Sequence, residues 1–146
     1  KPEGWPSVIS WEKEAIFSQN AIALKIDNFP TAEIVENMKA IAEKIFVPLR
    51  NAINAPIAVT SFFRCKELNS KTKGSSKTSQ HMVGEAMDIS RYKNSSYTNR
   101  ELFEYIKKHL EFDQLIWEGG DTKEPRWVHV SYKRTGKNRK QILYIF

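Results

Sequence analysis

Cysteine is almost missing from these 146 residues: Cys65 stands alone. One thiol cannot close an internal disulfide, and without a CxxC pair there is neither a thiolate zinc site nor a dithiol redox motif. Any bound metal must therefore rest on histidine and carboxylate. Disulfides are optional in exported proteins, so a lone cysteine leaves the compartment open. Long hydrophobic runs are missing too. No stretch reaches the roughly 20 apolar residues that a bilayer-spanning helix needs, and the opening Lys1-Pro2-Glu3-Gly4-Trp5 has no signal-peptide core. A soluble chain without a transmembrane segment is expected. It does not start with Met, so a leader removed by processing is compatible with it and localisation stays open. No internal repeat and no domain linker interrupts the sequence, which predicts one compact domain over residues 1–146.

Charge is what the chain has in excess. A formal net charge of +6 and a pI near 9.4 favour anionic surroundings, whether nucleic acid, acidic membrane or another anionic polymer. The cations gather in Lys66-Lys71-Lys73-Lys77 and in Lys133-Arg134-Lys137-Arg139-Lys140, both within polar stretches that read first as solvated loops. No nucleic-acid-binding motif accompanies them, and nucleic acid is not expected as a partner.

Periodicity supplies the elements. Ile34, Met38, Ile41 and Ile45 recur at helical spacing behind Pro30 and a Thr31 N-cap, which predicts an amphipathic helix ending around Ala52. Pro48 lacks an amide hydrogen, so a kink or restart is expected near Phe46-Val47. Ile57 to Phe63 is β-branched and aromatic and reads as a strand. Residues 67–80, rich in Ser, Thr, Lys and Asn, read as a long loop, and loops of that length in compact domains are usually functional or mobile. Thr98-Asn99-Arg100-Glu101 is a capping-box pattern ahead of Leu102, Tyr105, Ile106 and Leu110 on one helical face. His109 lies in the last turn of that helix, where a cation complements the dipole, and is not counted as a ligand. Phe112 to Trp117 and Trp127 to Tyr132 flank the turn-rich Gly119-Gly120-Asp121-Thr122 and read as a β-hairpin. Gln141 to Phe146 adds a candidate final strand. Helices and strands grouped in this way predict an α+β fold: a mainly antiparallel sheet of about four or five strands with helices packed against it.

The chemistry concentrates in Ser79-Gln80-His81-Met82-Val83-Gly84-Glu85-Ala86-Met87-Asp88-Ile89. In an extended chain Gly84, Ala86 and Asp88 share one face while Met87 and Ile89 turn to the core, leaving open space above Asp88. A turn at Gly84 would bring His81 back over it. In Trp127-Val128-His129-Val130-Ser131 the two valines take one side, and Trp127, His129 and Ser131 the other. Each residue alone has a structural explanation: His81 in a loop, Asp88 capping a strand end, His129 hydrogen-bonded on a half-buried strand. Together they form a two-histidine, one-aspartate set that leaves the fourth position of a tetrahedral zinc open, the arrangement of a catalytic site.

These segments resemble the zinc D-alanyl-D-alanine carboxypeptidase family of peptidoglycan peptidases. That family also contains phage endolysins cutting between L-alanine and D-glutamate, and shares its metal-site fold with the hedgehog signalling domain. The likeness rests on Ser61-Phe62-Phe63-Arg64, on Ser79 to Asp88, on Phe112 to Glu118 and on Trp127 to Ser131. It implies one zinc ion on His81, Asp88 and His129, with Arg64 and Ser79 contacting substrate, and hydrolysis of peptide bonds in stem peptides, exo or endo. Work at the bacterial cell wall follows, periplasmic, secreted or phage-delivered, by a monomer whose basic loops could also hold anionic wall polymers.

Hydrolysis at such a site needs a carboxylate that passes a proton from water to the leaving amine, and a cation for the oxyanion or for a substrate carboxylate. Arg64 is the candidate cation, with a surface ion pair as its plainer role. For the carboxylate the sequence departs from its relatives, many of which carry Glu or Asp three residues before the second histidine, where this chain has Arg126. Glu118, ending the strand opposite, is the candidate base; Asp121 and Glu124 are the other carboxylates nearby. Trp117 and Trp127 read as hairpin packing or as cleft walls. The competing reading is a zinc-containing wall-binding module that has lost its activity.

Overall fold

The computed structural model describes all of residues 1–146. Its strands are β1 (Ala58–Ser61), β2 (Ala86–Ser90), β3 (Gln114–Glu118), β4 (Trp127–Ser131) and β5 (Gln141–Ile145), in one sheet of order β1-β2-β4-β3-β5. Every pair is antiparallel except β3 with β5, which is parallel. The fold is thus α+β with a mixed, mostly antiparallel sheet, and the tail does form the last strand, beside β3. The hairpin is β3–β4, with Ile116 opposite His129 and Glu118 opposite Trp127.

Five helices accompany it: α1 (Gln19–Ala23), α2 (Ala32–Ile41), α3 (Val47–Ile53), α4 (Lys66–Ser70) and α5 (Asn99–His109). The long amphipathic helix is α2 and α3 joined through a π-helical stretch, Ala42–Phe46. Pro48 falls in the first turn of α3. The wider turn ahead of it accommodates the missing donor and the ring, so the helix changes register instead of breaking. Asn54, in the left-handed conformation, ends it. On α5 the Thr98 hydroxyl accepts from Glu101 N–H at 3.1 Å, satisfying an otherwise free donor of the first turn. Its apolar face buries Leu102, Phe103 and Ile106, each contributing about 1.5–3 kcal/mol.

Strand alternation sorts the sheet into two faces. Met87, Ile89, Leu115, Trp117, Val128 and Val130 turn to the helices and join Met38, Ile41, Ile45 and Phe46 in one core. Asp88, Ile116, Glu118, Trp127 and His129 alternate with them and face the other way.

Two segments differ from the sequence reading. Residues 67–80, a loop by composition, are not loop throughout: they begin within α4, which packs Leu68 and buries Asn69, and whose cap is the Cys65 sulfur accepting from Leu68 N–H at 3.5 Å. The first 30 residues, for which periodicity suggested no element, close one edge of the sheet: Glu14 accepts from Val59 N–H at 3.2 Å, and Phe63 N–H donates to the Ala15 carbonyl at 3.1 Å. Covering an edge in this way removes a template for pairing with other chains.

Candidate metal centre

Three elements deliver the ligand candidates. His81 sits on the 3-10 turn Gln80–Val83, entered through Ser79, whose hydroxyl accepts from His81 N–H at 3.2 Å. Gly84 ends that turn with φ +74°, and a Cβ there would lie 2.6 Å from the Met38 side chain and 2.8 Å from the Ile34 carbonyl oxygen. Glycine is therefore required for the turn and for the close approach to α2. Asp88 lies in the middle of β2, directly opposite His129 on β4.

The three side chains converge. His129 Nδ1 is 2.9 Å and His81 Nε2 3.4 Å from the same Asp88 oxygen, Oδ1, and one ligand atom from each residue falls within 4.8 Å of the others. Adjacent ligands of a tetrahedral zinc bonded at 2.0–2.1 Å stand about 3.3 Å apart, so the spacing suits that ion. The tautomer suits it too. His81 Nδ1 meets the Phe62 carbonyl at 2.6 Å, which fixes the ring proton on that nitrogen and turns the lone pair of Nε2 toward Asp88. His81 is 2% exposed, so its ring is held by packing as well. Burial pushes the Asp88 carboxyl up, but His81 and His129 outweigh it and hold the group ionised, well below the ordinary aspartate range. Two imidazoles and a carboxylate make a donor set of the kind that zinc takes.

These residues form the floor of an open cleft of about 1180 Å³. Arg64 lines it, half-buried, its guanidinium shared among Asn69 Oδ1 at 3.3 Å, Ser61 Oγ at 3.4 Å and Ser79 Oγ at 3.4 Å. Burial lowers its pKa and the nearby Asp88 raises it, with burial the larger effect. Ser79 thus caps the His81 turn and touches Arg64 at once. Asn69, which sequence reasoning passed over, is 3% exposed and also donates to the Ser76 carbonyl at 2.8 Å, tying Arg64 to the loop that walls the cleft. A buried asparagine amid Ser and Lys carries no pattern that would single it out.

Glu118 borders the cleft at the end of β3 and makes no salt bridge. Burial raises its pKa; His129 lowers and Asp88 raises it further. The other carboxylates named for the same task are engaged elsewhere. Asp121 accepts from Lys123 and Glu124 N–H at 2.8 and 3.1 Å, holding the hairpin turn. Glu124 pairs with Arg91 at 3.1 Å and accepts from Asn99 N–H at 2.9 Å at the start of α5. Arg126 lies along Gly119, outside the cleft lining. The two tryptophans part company: Trp117 is buried against Phe103 and donates to the Asp121 carbonyl at 3.0 Å, while Trp127 walls the cleft. No helix of the chain is long and apolar enough to cross a membrane.

No curated protein matches the chain. A family model, described as Peptidase M15, matches residues 12–131, a span that runs from the segment covering β1 to the end of β4 and holds every residue named above as a ligand or cleft candidate. With a match over most of its length and a site of the donor type that these zinc-dependent peptidases use, the chain belongs to the peptidase M15 family.

Proposed function

We propose that the protein is a zinc metallopeptidase hydrolysing peptide bonds in the stem peptides of bacterial peptidoglycan, of the D-Ala-D-Ala carboxypeptidase or L-Ala-D-Glu endopeptidase type. The observation that carries this reading is the meeting of His81, Asp88 and His129 on the floor of an open cleft with an unpaired carboxylate, Glu118, at its border. The same reading takes residues 1–146 as one peptidase domain acting as a monomer.

His81, Asp88 and His129 would hold the ion, with the Phe62 carbonyl orienting the first of them. Zinc supplies Lewis-acid chemistry when bound, polarising a peptide carbonyl and acidifying water. Glu118 takes the proton of the attacking water and hands it to the leaving amine; its raised pKa brings it closer to the working pH of a general base. Arg64, steered by Ser79 and Asn69, offers its guanidinium either to the developing oxyanion or to a substrate carboxylate. Trp127 excludes water from one wall.

Glu118→Gln tests this assignment. General acid–base catalysis is worth about 10²- to 10⁴-fold, so release of new amines from purified peptidoglycan should fall by that range while zinc content is unchanged. Mass spectrometry of the wild-type digest identifies the bond. Arg126, standing where many relatives have a carboxylate, favours a second reading, a zinc-containing wall-binding module. Zinc-loaded wild-type protein that binds walls and releases no amine would decide for the module.

A further inference from the structure

Two basic stretches far apart in sequence border the same cleft. Lys73 and Lys77 enter it from the loop after α4, and Lys133 and Arg139 from the segment after β4. Their charges are not equivalent. Arg139 is spent on the fully buried Asp113, with Nε 3.0 Å from Oδ1 and Nη2 2.8 Å from Oδ2. Lys73, Lys77 and Lys133 make no salt bridge, although Lys133 lies near enough to Asp113 for its charge to help hold that carboxyl ionised. Lys133 is also the best placed. Its N–H donates to Asn138 Oδ1 at 2.8 Å, and its carbonyl accepts from Asn138 Nδ2 at 3.2 Å, so its backbone is pinned on both sides. The preceding Tyr132 N–H still bonds the Glu85 carbonyl at 2.8 Å, continuing the pairing of β4 with the chain ahead of β2. Alternation from His129 through Ser131 then puts Lys133 on the metal-site face, roughly 13 Å further along the strand. Of the cleft carboxylates outside the ligand set, Glu85 accepts from the neutral amide of Gln80 at 3.2 Å and so keeps its negative charge, while Glu118 stands at the opposite end of β4 from Lys133. Three lysines without a salt bridge thus outnumber Glu85 and Glu118 in a concavity that concentrates their field.

We propose that Lys133, with Lys73 and Lys77 of the loop bordering the same cleft, forms a subsite for a substrate carboxylate, selecting acidic peptides whose negative group lies roughly 10–13 Å from the scissile bond, three to four residues of extended chain. The inference rests on the peptidase reading for the ligand being a peptide. Pinning the Lys133 backbone reduces the freedom lost when its ammonium meets a carboxylate, and the lysines of the loop after α4 add a second set of contacts.

The test compares two stem peptides that differ only in whether the carboxylate lying three to four residues from the bond cleaved, a bond identified beforehand by mass spectrometry, is free or converted to its amide. Cleavage is followed with the zinc-loaded wild type, and binding by calorimetry with zinc-loaded Glu118→Gln. Both are repeated with Lys133→Gln, with Lys73→Gln/Lys77→Gln, and with Lys107→Gln as a charge control on α5. The free acid should be preferred roughly threefold to tenfold at low salt, in kcat/KM and in affinity. The preference should shrink in the cleft variants and at 0.3 M salt and persist in the control. Equal handling of acid and amide by the wild type, with cleavage of both, overturns the subsite and leaves the peptidase reading standing. A preference that survives both cleft substitutions, or that Lys107→Gln removes equally, overturns it as well, and retention on anionic wall polymer without discrimination between the peptides shows a polymer-binding surface in its place. Tighter binding of the acid, lost in the lysine variants, with neither peptide cleaved, upholds the subsite and sinks the peptidase reading.

Discussion

Replacing Gly84 with alanine places one new methyl group where two things oppose it. The backbone is left-handed there, φ +74°, which disfavours any L side chain by roughly 1–2 kcal/mol. The methyl would also lie 2.6 Å from Met38 Cγ, 2.8 Å from the Ile34 oxygen and 2.9 Å from Ile34 Cγ2. Met38 can yield, but the Ile34 carbonyl belongs to the backbone of α2 and cannot, so an overpacking cost of about 1–3 kcal/mol is added. The expected loss is about 2–5 kcal/mol, or on the order of 5–15 °C in melting temperature for a domain of this size. Gly74 supplies the control: its φ is +78°, yet nothing lies within 4 Å of a Cβ built on it. Gly74→Ala should show the backbone term alone, about 1–2 kcal/mol. Denaturant unfolding of both variants separates the contributions, and zinc titration should show weakened affinity only in Gly84→Ala, because the turn it distorts carries His81. Equal losses at the two glycines, or a Gly84 variant as stable as the wild type, would refute the packing argument.

Asp88→Asn removes the carboxylate shared by both histidines, and metal analysis after dialysis should find zinc at less than about a tenth of the wild-type content, since a charged ligand is lost. Arg64→Lys keeps the charge but loses the planar fork that reaches Asn69, Ser61 and Ser79; kcat/KM on stem peptides should fall at least about tenfold with little change in melting temperature. Burial pushes the Asp113 carboxyl up, but hydrogen bonds from Arg139 outweigh it and hold the group below its ordinary value. The stability it contributes is therefore complete above the unfolded aspartate value, about 3.9, and is lost as the pH falls through the lower folded value. Asp113→Asn should destabilise the protein at neutral pH, by about 1.5–3 kcal/mol for charged hydrogen bonds, and flatten that acid limb in melts between pH 2 and 6.

Much of the site could be read from the sequence because it is built on regular spacing. Val128 and Val130 had to enter the core, so His129 had to face away, and Met87 and Ile89 placed Asp88 in the same manner. What escaped was held by irregular contacts. Nothing in Gln141-Ile142-Leu143-Tyr144-Ile145 declares a direction, and its parallel pairing with β3 depends on where the preceding loop lets it return. Cysteine is a rare cap, which hid α4 within a polar stretch. Asn28 shows the same limit: its amide donates to the Ile16 and Phe63 carbonyls at 3.0 and 2.9 Å, and its oxygen accepts from Cys65 N–H at 2.8 Å. It thereby fixes both neighbours of Arg64. No local pattern connects position 28 with position 64; only the folded chain does.

The group that steers the His81 ring is the carbonyl of Phe62, part of the peptide chain and common to every amino acid. Exchange of the phenyl ring for another apolar side chain changes packing yet keeps the acceptor, so the handedness of the imidazole is insulated from drift at that position. Retuning the metal through its outer coordination sphere would require moving the end of β1 bodily, a change that point substitution alone seldom delivers.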